Sequence, residues 1–209
     1  TAITLQGAAE KGARFCIVAS DTGQHEFDGL LAIQQGFDVL VEKPLSTDVG
    51  SARRLCESAA NTGRRLFVGC VLRFSESLNT VRELLPRVGR LHAVRIECHS
   101  YLPAWRPQRP YQQSYSAREG EGGVLRDLIH EIDYAGWLFG SPNALQARVS
   151  NLGRLGIDTE EIAEVMWELS DGGVLSLALD YLSQPSRRFL KACGEHGTVE
   201  WDGVNNGVT

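Results

Sequence analysis

The chain has 209 residues, of which 43% are hydrophobic and 22% charged, and its net charge is −5. This length allows one large domain or two small ones, and the composition is ordinary for a globular protein. The acidic balance excludes the basic surface that nucleic-acid binding requires. No apolar run reaches the length of a membrane span, so we expect neither nucleic acid nor membrane among the partners.

The five cysteines point away from disulfides and from a zinc site. They are odd in number and far apart, and no C-x-x-C occurs, whereas disulfide frameworks and thiolate zinc sites need paired spacings. Most lie in apolar runs such as RFCIVAS and FVGCVL, which predicts reduced thiols in the core. Together with the lack of a signal peptide, this pattern predicts a cytoplasmic protein.

The first third of the sequence alternates strand and helix patterns, which predicts βαβ units and a parallel sheet. The first strand is a short apolar run that ends in small polar residues, and it is expected to be buried on both faces. Ser46 or Thr47 is expected to cap the second helix, and Gly63 to end it. The predicted strands cover 13–20, 37–44 and 64–70, and the predicted helices cover 25–36 and 46–63.

After Arg73 the pattern changes to that of an α+β domain with a mostly antiparallel, open sheet. Residues 92–99 alternate between two faces, as a strand does. A turn at 171–173 and another at 195–197 each predict a hairpin. Helices are predicted over 75–89 and 123–140, and a long polar and aromatic loop over 101–123. We therefore predict a partial dinucleotide-binding domain over 1–72 and an α+β domain over 73–209.

Lys43 is the sharpest candidate for chemistry. It follows Glu42 and precedes Pro44, directly after the apolar run VLV. Ligands of parallel sheets bind outside the carboxyl ends of the strands, so these charges are expected to face a cleft. A lysine there can position a substrate hydroxyl or take part in proton transfer. The alternative is a surface Glu–Lys pair of little consequence.

The second candidate is the segment DLIHEIDY. Asp127, His130 and Asp133 lie three residues apart, so neighbours in the series would share a face of one helix. A histidine between carboxylates can act as an acid or base. Two alternatives stay open: a metal site, as in a metal-dependent hydrolase, or a histidine that only serves the core.

The third candidate is the loop LPAWRPQRPYQQSYSAREG. Its aromatic and arginine side chains suit a sugar or an anionic substrate. The alternative is a mobile surface excursion. The residues concerned are Trp105, Arg106, Arg109, Tyr111, Tyr115, Ser116 and Arg118.

Four motifs, in order, carry a resemblance over residues 13–202: ASDTGQH, VLVEKPLS, GCVLRF and GEGGVLRDLIHEIDYAGWLFG. The chain resembles the glucose-fructose oxidoreductase and inositol dehydrogenase (Gfo/Idh/MocA) family. It looks most like the branch associated with surface-polysaccharide and sialic-acid-type sugar pathways. The resemblance implies a Rossmann domain, an α+β domain whose open sheet forms a homodimer or homotetramer, and a bound NAD or NADP.

The implied reaction is hydride transfer between nicotinamide and a hydroxyl-bearing carbon of a sugar or nucleotide-sugar, without a metal. By motif, Lys43 and His130 would be catalytic, with Asp127 orienting the substrate hydroxyl. Trp105, Arg106 and Tyr115 would reach the substrate. The implied cofactor-binding residues are Ser20, Thr22, His25, Glu42, Lys43, Pro44 and Arg73.

Two departures from the family pattern stand out. The family usually places the aspartate four residues before the histidine, whereas Asp127 is three before His130 and Arg126 takes the four-back place. The chain also has no G-x-G-x-x-G, the turn that holds a pyrophosphate. We therefore expect the sequence to begin partway through the nucleotide domain and to stop short of the family's usual end. The same scaffold resembles glycosidases that use bound NAD, and sugar sensors without catalysis.

Overall fold

The computed structural model describes residues 3–209. It divides into two compact units, with the boundary between Cys70 and Val71. Each unit has its own hydrophobic core. No helix among residues 3–209 combines the length and the apolar character needed to cross a bilayer.

The first unit is built on a three-stranded parallel sheet in the order β1-β2-β3. In register, Val18 lies opposite Val41, and Val41 lies opposite Val68. The strands are β1 (Phe15–Val18), β2 (Asp38–Val41) and β3 (Leu66–Val68), and the helices are α1 (Leu5–Glu10), α2 (His25–Gln34) and α3 (Val49–Thr62). The predicted parallel sheet is confirmed, while α1 was missed.

The start of α3 differs from the prediction. Asp48 is the N-cap, since its side chain accepts a hydrogen bond of 2.9 Å from the backbone N–H of Ser51. Ser46 instead donates its hydroxyl to the carbonyl of Asp48 at 2.7 Å, so neither Ser46 nor Thr47 caps the helix. Asp is as good an N-cap as Ser, so residue type alone does not show which of Ser46, Thr47 and Asp48 caps the helix. Gly63 ends the helix at a φ of 65°, as predicted.

The prediction that β1 is buried on both faces is wrong. Phe15 and Ile17 are 66% and 67% exposed, while Val18 on the opposite face is buried. The core of this unit forms on the face of Val39 and Val41, where residues of α2 and α3 cover the sheet. Cysteine burial also differs from expectation, because only Cys98 of the five is buried.

The second unit, Val71–Thr209, contains a seven-stranded sheet in the order β10-β9-β8-β4-β7-β6-β5. All neighbouring pairs are antiparallel except β4 and β7. The fold class is therefore confirmed, including both predicted hairpins. The strands are β4 (Leu91–His99), β5 (Leu145–Ser150), β6 (Ile162–Glu168), β7 (Val174–Asp180), β8 (Arg187–Gly194), β9 (Gly197–Asp202) and β10 (Gly207–Val208); β5 and β10 were missed.

Helices of the second unit pack on one face of this sheet. Val94, Ile96 and Cys98 of β4 point to that face and are buried, as their alternation predicts. Tyr134 and Trp201 meet edge to face in the core, with ring centroids 5.6 Å apart. The helices are α4 (Glu76–Leu84), α5 (Val124–Asp127) and α6 (Ile129–Phe139).

The segment 123–140 is two helices, not the single helix predicted. Leu128, with φ −97° and ψ 30°, leaves the helical region and separates α5 from α6. Asp127 therefore belongs to α5, whereas His130 and Asp133 belong to α6. The prediction that Asp127 and His130 share a face of one helix is wrong, because i,i+3 spacing places side chains together only along an unbroken helix. His130 and Asp133 do lie on one helix, as predicted.

Candidate functional site

The carboxyl ends of the three strands in the first unit lie at one edge of the sheet. Because Val18, Val41 and Val68 are in register, the segments that follow them leave the sheet side by side. Ser20 follows β1 and Glu42 follows β2 at this edge. This is the edge at which parallel sheets bind ligands.

His25 ties two of these segments together. Its ring is 1% exposed, with Nδ1 at 2.8 Å from the carbonyl oxygen of Pro44 and Nε2 at 3.0 Å from that of Ser20. Carbonyl oxygens only accept hydrogen bonds, so the imidazole donates to at least one of them. The turn after β1 and the turn after β2 are thus fixed to the same buried side chain.

Glu42 and Lys43 are both half-buried at this edge, and Pro44 behind them is buried. The Lys43–Pro44 peptide is cis. The lack of a side chain at Gly69 leaves room for the Glu42 carboxylate, because a Cβ on that glycine would lie 3.0 Å from Oε2 of Glu42. The two charges therefore lie at the rim of the sheet rather than in its core, which limits the cost of their desolvation.

The other two predicted residues of this edge differ in accessibility. Ser20 is exposed and donates its hydroxyl to Asp28 at 2.6 Å, at the start of the turn that follows β1. Thr22 is 5% exposed. Their roles toward a cofactor stay predictions.

In the second unit, Asp127 is a buried carboxylate held by the hydroxyl of Tyr181. Asp127 is 3% exposed, and Tyr181 donates its hydroxyl to Oδ2 at 2.5 Å. Burial, and then the charge of Asp127, raises the pKa of Tyr115 to about 12 and raises that of Tyr181 as well. Both tyrosines are therefore protonated donors at neutral pH.

His130 lies in the first turn of α6, three residues after Asp127 and beyond the break at Leu128. Its ring is half-buried, with Nδ1 enclosed by protein. Its role as an acid or base stays a prediction.

Arg73 and Asp133 form a bidentate pair within the second unit. Nε of Arg73 lies 2.8 Å from Oδ2, and Nη2 lies 2.6 Å from Oδ1. Both carboxylate oxygens of Asp133 are thus engaged by the guanidinium. Across residues 3–209, no three His, Cys, Asp or Glu side chains are placed to hold a metal ion together.

The loop that follows β4 is ordered by short 3₁₀ turns and by its contacts. Trp105 donates Nε1 to the hydroxyl of Ser100 at 2.8 Å and meets the ring of Tyr181 edge to face at 5.6 Å. Arg106 is exposed. The turns cover Leu102–Ala104, Tyr111–Gln113 and Tyr115–Ala117. The predicted substrate residues thus combine one anchored ring, one exposed guanidinium and the half-buried Tyr115.

A second loop braces the first. Glu161 is fully buried and accepts three backbone N–H groups from 152–155, at 2.7, 2.8 and 3.2 Å. From this fixed loop, the carbonyl of Leu155 accepts the Tyr111 hydroxyl at 3.0 Å, and Thr159 donates to the carbonyl of Ser116 at 2.9 Å. The Glu161 carboxylate therefore fixes the backbone of 152–155 through these three hydrogen bonds.

Two adjacent glycines, Gly122 and Gly123, allow close packing at the end of the loop 101–123, just before α5. A Cβ on Gly122 would lie 2.3 Å from the backbone oxygen of Ser116, and Gly123 has a φ of 104°. Glu160 then accepts from the N–H of Leu125 at the start of α5. These contacts, and Tyr181 among them, were missed by sequence reasoning, because a carboxylate or tyrosine beside a strand has no distinctive pattern.

Comparison with protein families decides the affiliation. Residues 79–200 match the Gfo/Idh/MocA C-terminal domain, and residues 7–70 match the oxidoreductase family with an NAD-binding Rossmann fold. The chain belongs to the Gfo/Idh/MocA family. The predicted resemblance is thereby confirmed.

Individual relatives fit this family. Inositol 2-dehydrogenase of Streptomyces avermitilis is 33% identical over 62% of this chain and 35% of its own. A 2,7-anhydro-N-acetylneuraminate hydratase of Mediterraneibacter gnavus is 23% identical over 92% of this chain and 52% of its own. The solved WlbA dehydrogenase of Chromobacterium violaceum, in complex with NADH and UDP-GlcNAcA, is 25% identical, with a TM-score of 0.82 over 96% of this chain and 59% of its own. The chain spans about half the length of the first two curated relatives that it matches.

Proposed function

We propose that the protein is an NAD(P)-dependent oxidoreductase that transfers a hydride between nicotinamide and a hydroxyl-bearing carbon of a sugar or nucleotide-sugar. Family membership supports the reaction class. The observation that carries the proposal is the position of Lys43, in the E-K-P turn at the carboxyl edge of the parallel sheet. The dehydrogenase relatives named above, acting on inositol or crystallised with UDP-GlcNAcA, support the substrate class.

The groups at that edge suit the nicotinamide half of the cofactor. A carboxylate such as Glu42 accepts hydrogen bonds from ribose hydroxyls, and the Lys43 ammonium supplies donors. The exposed Ser20 hydroxyl donates to Asp28, so it offers its oxygen lone pairs as acceptors. His25 keeps the two turns that carry them in place. When bound, the nicotinamide ring supplies or accepts the hydride.

The proton is assigned to His130. As hydride leaves the substrate carbon, the hydroxyl on that carbon loses its proton, and Nε2 of His130 accepts it as a general base. Lys43 keeps its predicted catalytic role, because its ammonium can donate a hydrogen bond to a hydroxyl oxygen. Asp127, held by the Tyr181 hydroxyl, sits beside α6 and orients the substrate hydroxyl. Arg73, Trp105, Arg106 and Tyr115 keep their predicted roles toward cofactor and substrate as part of this proposal.

The test uses the whole protein. NADH and NADPH are titrated with fluorescence detection, and turnover of inositol and UDP-GlcNAcA is followed by absorbance of the reduced cofactor. Lys43→Met and His130→Ala should each lower kcat by about 10²–10⁴-fold, the usual worth of acid–base catalysis. Lys11→Met and His92→Ala, both exposed positions, are the matched controls and should leave kcat within twofold.

Two results would contradict the proposal. If neither dinucleotide binds, hydride transfer is excluded. If a dinucleotide binds but Lys43→Met and His130→Ala turn over as fast as their controls, the assigned residues are wrong. The same titration settles the preference between NAD and NADP.

The hydratase relative favours one second candidate, a reaction that uses bound cofactor without net oxidation. Such an enzyme converts its substrate while no reduced cofactor accumulates. Product analysis beside the absorbance assay therefore separates the two candidates. The NAD-using glycosidase considered above belongs to this same class.

The assembly and location are proposals as well. The helix-free face of the seven-stranded sheet carries Met166, which is 56% exposed, and we place a homodimer or homotetramer contact there. Light scattering should give a multiple of the chain mass for the wild type and a smaller mass for Met166→Asp. An unchanged mass in the variant would move the contact elsewhere. The cytoplasmic location stays a prediction from the cysteine pattern.

A further inference from the structure

Tyr181 occupies an unusual place for a tyrosine hydroxyl. It follows β7 directly and its side chain is fully buried. The hydroxyl meets Oδ2 of Asp127 at 2.5 Å, although the two residues are 54 positions apart in the chain. A buried hydroxyl and a buried carboxylate are each costly without a partner, so each stabilises the other here.

The backbone of Tyr181 is fixed on both sides. Its N–H donates to the carbonyl of Glu161 at 3.0 Å, and its own carbonyl accepts from Leu102 at 3.0 Å. Trp105 packs edge to face on its ring at an interplanar angle of 88°. The hydroxyl therefore has little freedom, and a carboxylate bonded to it is held to the sheet.

Asp127 needs such a hold because its local structure is short. It is the last residue of the four-residue α5, and the chain leaves helical geometry at the next residue, Leu128. Tyr115, whose pKa is raised by burial and by the charge of Asp127, lies in the loop and is only half-buried. The charged groups near the two tyrosines are Glu160 and Arg106.

We propose that Tyr181 is a positioning residue: its hydroxyl fixes the Asp127 carboxylate in the orientation that serves the substrate hydroxyl beside His130. Tyr181 itself does not contact substrate. This inference rests on the proposed oxidoreductase function and adds a residue to its site. It assigns the Oδ2 side of the carboxylate to Tyr181.

The test is a double-mutant cycle in the whole protein, with inositol and UDP-GlcNAcA as probes. Tyr181→Phe should lower kcat about tenfold, the effect of losing one hydrogen bond to a charged group. NADH affinity should stay within twofold. The double variant Tyr181→Phe/Asp127→Asn should have the same kcat as Asp127→Asn alone, because the effects of residues that act through one another are not additive. Tyr134→Phe is the control, because the buried hydroxyl of Tyr134 has no hydrogen-bond partner among residues 3–209.

A split between kcat and KM separates positioning from mere binding. Tyr181→Phe should lower kcat while KM for the probe stays within twofold, because the fixed carboxylate acts in the transition state, and Tyr134→Phe should change neither. An unchanged kcat, or losses that add in the double variant, would overturn the inference while the function stands. A wild type that binds no dinucleotide and turns over neither probe would overturn both.

Discussion

Arg73 grips Asp133 through two parallel hydrogen bonds, from Nε to Oδ2 and from Nη2 to Oδ1, at 2.8 and 2.6 Å. The pair joins the 3₁₀ turn Val71–Phe74 to helix α6, three residues beyond His130. The fork geometry is specific to arginine, because a lysine offers a single ammonium. The guanidinium thus helps to set the position of the helix that carries the proposed base.

A double-mutant cycle measures this pair. Arg73→Lys and Asp133→Asn should each destabilise the protein, with a coupling free energy of about 0.5–1 kcal/mol, because the pair is partly exposed. Urea denaturation at low ionic strength is the measurement. Purely additive losses would mean that the fork contributes nothing to stability.

Arg188 and Glu131 form a more deeply buried pair. Glu131 is fully buried, with Oε1 at 2.7 Å from Nε of Arg188. Arg188→Met should lower the free energy of unfolding by about 3–5 kcal/mol at pH 7, because it leaves a buried charge without its partner. Thermal or urea unfolding measures the loss. A cost below about 1 kcal/mol would mean that Glu131 is already neutral in the native state.

The same pair predicts a pH dependence. Burial raises the pKa of Glu131, and the charge of Arg188 opposes this. A carboxyl with a raised pKa binds its proton more tightly when folded, so its contribution is present at low pH and is lost as the pH rises above about 4.3, the unfolded value. Arg188→Met removes the opposing charge and enlarges that loss. The difference in the free energy of unfolding between wild type and Arg188→Met should therefore be smaller at pH 5 than at pH 7.

Arg187→Met is the matched control for Arg188→Met. Arg187 pairs with Glu97 on the surface, where both side chains are about a third exposed or more. Removing an exposed pair should lower the free energy of unfolding by less than about 1 kcal/mol. The difference between Arg187→Met and wild type should be the same at pH 7 and pH 5. A gap that narrows equally in both variants would assign the effect to net charge rather than to Glu131.

Gly122 tests the close approach between α5 and the aromatic loop. In Gly122→Ala the new Cβ would lie 2.3 Å from the Ser116 carbonyl oxygen, and both backbones would have to move. We expect a loss of roughly 3 kcal/mol in stability and lower turnover, since Tyr115 moves with that segment. Gly136→Ala, in α6 with no atom within 4 Å of the new methyl, should instead gain about 0.5–1 kcal/mol. Equal changes in the free energy of unfolding for Gly122→Ala and Gly136→Ala would contradict the close contact between Gly122 and Ser116.

His25 tests the cofactor edge. His25→Ala removes the side chain that joins the carbonyls of Ser20 and Pro44, which frees the turns that carry Glu42 and Lys43. The Kd for NADH should rise about tenfold, equivalent to 1.4 kcal/mol, while His92→Ala leaves it unchanged. A fluorescence titration measures both. An unaltered Kd would show that the edge keeps its shape without His25.

The sequence by itself determined the features that depend on neighbouring residues. Apolar runs and helical periodicity gave the parallel strands of the first unit, the turns at 171–173 and 195–197 gave the hairpins, and the place of Lys43 after a strand gave its position at the sheet edge. Each of these follows from backbone geometry and side-chain period over fewer than about ten residues. That is why they could be read without the fold.

Only the tertiary structure decided the surroundings of Asp127. Asp127, His130 and Asp133 have the i,i+3 spacing of a helix, and local propensity favours one continuous helix. The chain nevertheless leaves helical geometry at Leu128, which no local pattern predicts. The partner of Asp127 is Tyr181, 54 residues away, and no local pattern announces a pair of that separation. Likewise Asp133 is engaged by Arg73, 60 residues earlier. A buried carboxylate is stabilised by whichever donor the fold brings to it, and that choice is made by packing, not by the neighbouring sequence.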